Sequence, residues 1–247
     1  MRISVAFEEE AAGEASELDS LRVEYVTVGR RVDWESMGAP IFPKGDEWDL
    51  DAYAGALGAT LLPVSRAHVQ TWLDLVVSWN ARIDLTAARS ADELLDLMVA
   101  DALVLSTRVP KGATVVDVGT GAGAPGMPLA LVRPDLAVTL VEPLAKRISF
   151  LRTVIGTTLR TDIALVRDRG ETLRAASKKF DVAMARATLA PPAWLALGEE
   201  LVHAGGSVWV LLAKEPAPEG RAAAVESFTY TWPKTGAERT VVRYETA

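Results

Sequence analysis

Between Val115 and Gly126 a strand-like run of valines interrupted by one carboxylate, Val115, Val116, Asp117 and Val118, breaks abruptly into Gly119, Thr120, Gly121, Ala122, Gly123, Ala124, Pro125 and Gly126. A short buried strand that ends in closely spaced glycines can turn sharply, and its backbone can approach a ligand more closely than any side chain allows. Pro125 suits the first turn of a following helix, whose free N–H groups form a site for anionic or polar ligands. A nucleotide-like ligand fits there. The next aliphatic run, Ala137 to Val141, ends at Glu142. In an open α/β sheet, a carboxylate at the tip of the second strand can accept hydrogen bonds from both hydroxyls of a ribose. Gly119, Gly121, Gly123 and Glu142 are therefore expected to form one cradle.

The surrounding pattern supplies the sheet. Thr114 to Val118, Ala137 to Val141, Ile163 to Val166, Val182 to Ala185 and Ser207 to Leu212 are short apolar runs, each followed by turn chemistry or a helical stretch. Such runs read as parallel strands buried on both faces. Ser227 to Trp232 and Arg239 to Tyr244 alternate with period two around Pro233 to Gly236, which predicts an antiparallel hairpin at the sheet edge. Upstream, Leu50, Tyr53 and Leu57, then Val69, Trp72, Leu73, Val76 and Val77, then Leu94, Leu95, Met98, Ala102 and Leu103 recur at helical spacing. Ser65 is expected to open the second of these helices, and Ser90 with Glu93 has capping-box spacing. The expected organisation is an acidic extension over 1–48, a helical segment over 49–110 and an α/β domain over 111–247. The extension contains a strand-like run, Arg22 to Val28.

Composition excludes several chemistries. The chain has no cysteine, so disulfides, thiolate zinc sites, iron–sulfur clusters and thiol nucleophiles are ruled out. Only His68 and His203 carry imidazoles, both in helix-like segments and expected at helix surfaces or ends; no metal site is anticipated. The net charge of −7 is unevenly spread: residues 1–60 hold 13 acids and five bases, whereas Arg133 to Arg186 holds 11 bases and six acids. That leaves a modest basic patch near the expected site. No apolar run approaches the length of a membrane span, and the start reaches Glu8, Glu9 and Glu10 before a signal-peptide core forms. A soluble, cytoplasmic protein without membrane contact is expected.

Two cofactors compete for the cradle. Gly121, Gly123 and Gly126 satisfy the spacing of a dinucleotide fingerprint, which on its own is a weak signal. Asp117, Gly119, the proline inside the turn and the terminal hairpin favour S-adenosyl-L-methionine and a Rossmann-like class I methyltransferase. Pyrimidine C5 methylation normally needs a cysteine adduct, and none can form here. Ala190, Pro191, Pro192, Ala193 and Trp194 lack the polar residue and immediate aromatic of exocyclic-amine methylases, and read as a helix start.

Beyond class, the segment Gly119 to Ala130, then Arg133, Pro134 and Asp135, then Val141 to Leu151 resembles the GidB or RsmG family of bacterial small-subunit ribosomal RNA (guanine-N7) methyltransferases. Arg169, Gly170 and Glu171, then Phe180 and Asp181 leading to Arg186 and Ala187, then Gly205, Gly206 and Lys214 extend the likeness. Trp79, Asn80, Leu85, Thr86 and Asp101 resemble the family's helical segment. The resemblance implies cofactor contacts at Gly119, Ala124, Gly170, Glu171 and Arg186, with Glu142 on the ribose and Gly170 and Glu171 beside the adenine. For Arg186 the alternative is an ion pair with Asp181 or another carboxylate at a sheet tip. Met98, Ala102, Ala124 and Glu215 depart from the family pattern.

The implied substrate is 16S rRNA or the small ribosomal subunit; separately, a monomer is expected. Guanine N7 carries a free lone pair near neutral pH, so no acid–base residue is nominated. Lys146, Arg147, Arg186 and Lys214 are candidates for holding RNA phosphates, against a solvated helix face as the plainer reading of Lys146 and Arg147. Trp72 and Trp79 read as core, whereas Trp194 and Trp232 are open. The competing functions are a divergent paralogue acting on a small molecule or protein, and a non-catalytic S-adenosylmethionine-binding module whose acidic extension recruits a partner.

Overall fold

A computed structural model describes residues 42–43, 47–173 and 179–247. The strand-like run Arg22 to Val28 and nearly all of the 1–48 extension lie outside them. Seven strands form one sheet: β1 (Thr114–Val118), β2 (Ala137–Val141), β3 (Ala164–Val166), β4 (Phe180–Ala185), β5 (Val202–Leu212), β6 (Ala223–Thr231) and β7 (Glu238–Glu245). Their order is β3-β2-β1-β4-β5-β7-β6. The first five pair in parallel; β7 runs antiparallel to β6, as the alternating hairpin pattern predicts, and also antiparallel to β5, being inserted between β5 and β6. Order reverses between β1 and β4, which opens a crevice at the carboxyl ends of those strands, just where the glycine turn lies.

Both faces of the sheet are covered at β1, so its valines face apolar layers on either side and its one carboxylate, Asp117, is buried with them. Val115 belongs to the apolar layer shared with the N-terminal helices, whereas Val116 and Val118 belong to the layer opposite. The first layer receives α1 (Leu50–Ala56), α2 (Pro63–Asn80), α5 (Gly126–Val132) and α6 (Ala145–Thr158). A helical run, α3 (Ala91–Leu95), a π-helical turn (Asp96–Ala100) and α4 (Asp101–Ser106), joins the same layer. The second layer is closed by α8 (Pro191–Leu201); the short α7 (Gly170–Leu173) follows β3.

Local chemistry explains most boundaries. Ser90 Oγ accepts from the Glu93 N–H at 3.1 Å, and Glu93 reaches back to the Arg89 N–H at 2.7 Å, one residue before the usual capping-box donor. Pro191 occupies the first turn of α8, as expected. In α2 the expectation fails: the helix opens at Pro63, and Ser65 is buried within its first turn. Proline at the first helical position fixes φ and needs no N–H partner, so it outcompetes a serine two residues on. His203 is likewise corrected. It stands on β5, which follows α8 directly, and its Nε2 lies 2.7 Å from Asp181 Oδ1.

Four tryptophans are structural. Trp72 is fully buried and donates to the Ala122 carbonyl at 3.1 Å, bracing the glycine turn from α2. Trp79 meets Phe150 edge-on, with centroids 5.7 Å apart. Trp194 donates to the Trp209 carbonyl, and Trp232 donates to Asp101.

The hairpin is anchored by a buried carboxylate in the π-helical turn. Asp96 accepts from Tyr53 Oη at 2.6 Å, from Thr235 N and Oγ1 at 2.7 Å each, and from Lys234 N at 3.3 Å. Burial, followed by this bond and the charge of Asp96, pushes the Tyr53 hydroxyl far above its ordinary value, so it remains a donor at every practical pH. Tyr53→Phe removes one of four donors and leaves the ring in place. The expected loss is about 1–2 kcal/mol in urea-unfolding free energy, without change in the shape of the transition.

Candidate functional site

Two clefts flank the reversal point. The larger, about 530 Å³, is lined by the glycine turn at Gly119, Gly121 and Ala124, by Glu142 after β2, by Arg147 on α6 and by Arg186 after β4. The smaller, about 260 Å³, is lined by Gly170, Glu171, Arg169 and Leu197. Gly119, Pro143 and Thr188 border both, so the two read as parts of one elongated site.

The turn is fixed by backbone and carboxylate contacts. The N–H groups of Gly119 and Thr120 donate to the Val141 carbonyl at 2.8 and 3.1 Å. Asp117 Oδ2 accepts from Thr120 Oγ1 at 2.6 Å and from Gly126 N at 2.9 Å. Gly119 has φ +68°, and a Cβ there would overlap the Thr188 side chain. A glycine is therefore required on both counts.

Asp117 is fully buried, and its Oδ1 has no hydrogen-bond partner. Burial pushes its pKa up to about 6, although the bonds from Thr120 and Gly126 pull the other way. It lies beneath the turn rather than in the lining of either cleft.

Glu142 is equally enclosed, and its two oxygens divide their work. Oε2 accepts from Gly121 N at 3.0 Å, and Oε1 accepts from Leu144 N at 2.9 Å. Arg147 Nη1 stands 3.8 Å from Oε2. Each carboxylate oxygen can accept about two bonds, so each retains a lone pair for a ligand hydroxyl. This donor set fits the ribose of an adenosyl cofactor: acceptors free at the strand tip, a close backbone on one side, and a second cleft for the base.

Most sequence-predicted residues converge on these clefts. Gly119, Gly121, Ala124, Glu142, Arg147 and Arg186 border the first, and Gly170 and Glu171 border the second. Gly123 borders neither; it turns the chain against Met127 and Leu151. Lys146 and Lys214 are exposed and also outside both linings, although each follows a strand that ends on the same sheet edge. Neither histidine reaches the site.

Arg186 does not pair with Asp181, which lies at the opposite end of β4 and accepts from Thr114 N and Oγ1 at 2.7 Å each. Its Nη1 instead donates to the Leu97 carbonyl and, at 3.0 Å, to Asp101 Oδ2. Thr188 went unread in the sequence. Its hydroxyl donates to the Val118 carbonyl at 3.0 Å, tying the loop after β4 to the end of β1. Between them Ala187 has φ +53°, a left-handed conformation rare for a residue with a Cβ. Asn80, placed by the sequence in the helical segment, accepts from Leu85 N and Thr86 N at 2.9 Å each and so sets Leu85 at the rim.

Strand order, glycine turn and carboxylate tip together define a Rossmann-like methyltransferase. The profile of the GidB family, described as rRNA small subunit methyltransferase G, matches residues 65–233. The chain belongs to this family. The ribosomal RNA small subunit methyltransferase G of Anaeromyxobacter dehalogenans (strain 2CP-C) is 35% identical over 77% of this chain and 93% of its own length. That of Myxococcus xanthus is 33% identical over 79% and 94%. Among solved structures, TrmN from Thermus thermophilus has a TM-score of 0.47 at 18% identity, over 62% of this chain and 48% of that one; the fold class rests on the strand order itself.

The perturbed carboxyl gives a pH prediction. Because its pKa is raised from the ordinary 3.8 to about 6 on folding, Asp117 binds its proton more tightly in the native state. Its contribution is most favourable below about pH 4, falls as pH rises to about 6, and is flat above that, a span of roughly 3 kcal/mol. Urea midpoints of Asp117→Asn should lack that part of the slope between pH 4 and 6. Parallel pH profiles for variant and wild type would contradict the assignment.

Proposed function

We propose that this chain transfers a methyl group from S-adenosyl-L-methionine to N7 of a guanine in 16S ribosomal RNA, in the cytoplasm. One observation carries the reading: Glu142 at the tip of β2 holds the glycine turn through Oε2 and the start of the β2–α6 loop through Oε1, which leaves each oxygen a further lone pair for a ligand. The naming of the relatives supports ribosomal RNA of the small subunit as substrate.

When bound, the cofactor supplies an electrophilic methyl on a sulfonium. The residues do the rest by placement. Glu142 accepts from the ribose hydroxyls, and Gly170 and Glu171 border the cleft for the adenine. Gly119, Gly121 and Ala124 bring backbone against the remainder of the cofactor. The buried charges of Glu142 and Asp117 favour a cation near the turn. Guanine N7 needs no base to remove a proton, so in-line alignment and exclusion of water suffice. Arg147 and Arg186 face the first cleft, and Lys146 and Lys214 stand outside it on the same sheet edge. Together they suit the phosphates around an extruded base.

Incubation with tritiated S-adenosyl-L-methionine and small-subunit RNA from cells lacking the family enzyme should label the RNA, with 7-methylguanosine recovered after digestion. Good cofactor binding beside unlabelled RNA would reject the substrate. Glu142→Ala should weaken S-adenosylhomocysteine binding at least tenfold by calorimetry, since two acceptors for the ribose are lost together.

A further inference from the structure

Asp101 is buried in α4, 85 residues before Arg186 in sequence, and uses both oxygens. Oδ2 accepts from Arg186 Nη1 at 3.0 Å. Oδ1 accepts from Tyr230 Oη at 2.6 Å and from Trp232 Nε1 at 3.1 Å, both on the C-terminal hairpin. Leu97, whose carbonyl takes a further bond from the same Arg186 nitrogen, lies in the π-helical turn preceding α4. Such turns widen a helix and recur at functional sites. The arginine that borders the larger cleft is thus held from behind by two acceptors on one helical run, and one of those acceptors is itself held by the hairpin.

We propose that Asp101 is a positioning residue: it fixes the Arg186 guanidinium at the rim of the larger cleft, and Tyr230 and Trp232 make that placement depend on the seating of the β6–β7 hairpin. The proposal rests on the methyltransferase reading of that cleft. A free arginine has several rotamers and samples them at the cost of alignment; a guanidinium held at one nitrogen by a carboxylate and a carbonyl presents its remaining donors in one direction. Burial, then the charge of Asp101, pushes the Tyr230 hydroxyl far above its ordinary value, so this donor is retained throughout the working pH range. Arg239 stacks over the Trp232 ring at 3.6 Å from its centroid, which steadies the second donor. Asp96, five residues before Asp101, holds the tip of the same hairpin, so both ends of the π-helical turn grip one element.

The test is a double-mutant cycle with a spectroscopic arm. In full-length protein labelled with nitrogen-15 arginine, the Arg186 Nη signals should be resolved in the wild type and averaged in Asp101→Asn. Methyl transfer to small-subunit RNA should fall about tenfold or more in Asp101→Asn and in Arg186→Gln. The double variant should lose no more than Arg186→Gln alone, because Asp101 acts through Arg186. Tyr230→Phe, which keeps the ring, should give a threefold to tenfold loss that vanishes in the Arg186→Gln background, and it serves if Asp101→Asn does not fold. Losses that multiply, or an Arg186 equally fixed in wild type and variant, would overturn the proposal. A wild type that labels no RNA would reject the substrate instead, while the arginine spectra still decide whether Asp101 holds Arg186.

Discussion

Everything at the carboxyl edge of the sheet depends on how one bend is held. Asp117 grips both ends of the turn from below through Thr120 and Gly126, while Glu142 grips its middle through Gly121. A glycine-rich segment left to itself would spread over many conformations, and its ordering costs more than that of any other composition. Two enclosed carboxylates and the Val141 carbonyl remove that freedom before a ligand arrives. The accompanying cost is an acid buried with one oxygen unpartnered, which the parallel strands on either side hold in place.

Much of this was legible in the sequence because it is local. A short aliphatic run followed by glycines, a carboxylate after the next run and period-two alternation at the end are each contained within about a dozen residues. The strands, the glycine turn and the Glu142 tip followed from that pattern, whereas Ala124, Gly170, Glu171 and Arg186 came from the family resemblance, and Thr188 from neither. Where reading stopped at the next residue, it slipped: Ser65 has the side chain of a helix cap, but Pro63 had already begun the helix. The partner of Arg186 was beyond reach for a different reason. Asp181 is five residues away and Asp101 is 85, yet opposite ends of β4 separate the first pair, while the tertiary fold brings α4 within hydrogen-bond reach for the second.

The two ends of β4 show how the fold divides its polar groups. At the amino end, Asp181 joins Thr114 and His203 in an exposed cluster in which the histidine, followed by the Thr114 bonds, draws the carboxyl down to about 2. At the carboxyl end, Arg186 turns toward acceptors on the helical layer and borders the cleft. Both imidazoles of the chain thus lie away from the crevice, His203 at the far edge and His68 on α2.

The residue after Arg186 carries a consequence of its own. Ala187 occupies the left-handed region, where an alanine is strained by about 1 kcal/mol and a glycine would be at ease. A glycine, however, would let that lip swing through many orientations when empty, and each would have to be given up on association. The methyl group forbids most of them in advance. The lip is thus stiffened by its own covalent chemistry as well as by the bonds of Arg186 and Thr188 on either side, and what enters meets a shape that has already been chosen.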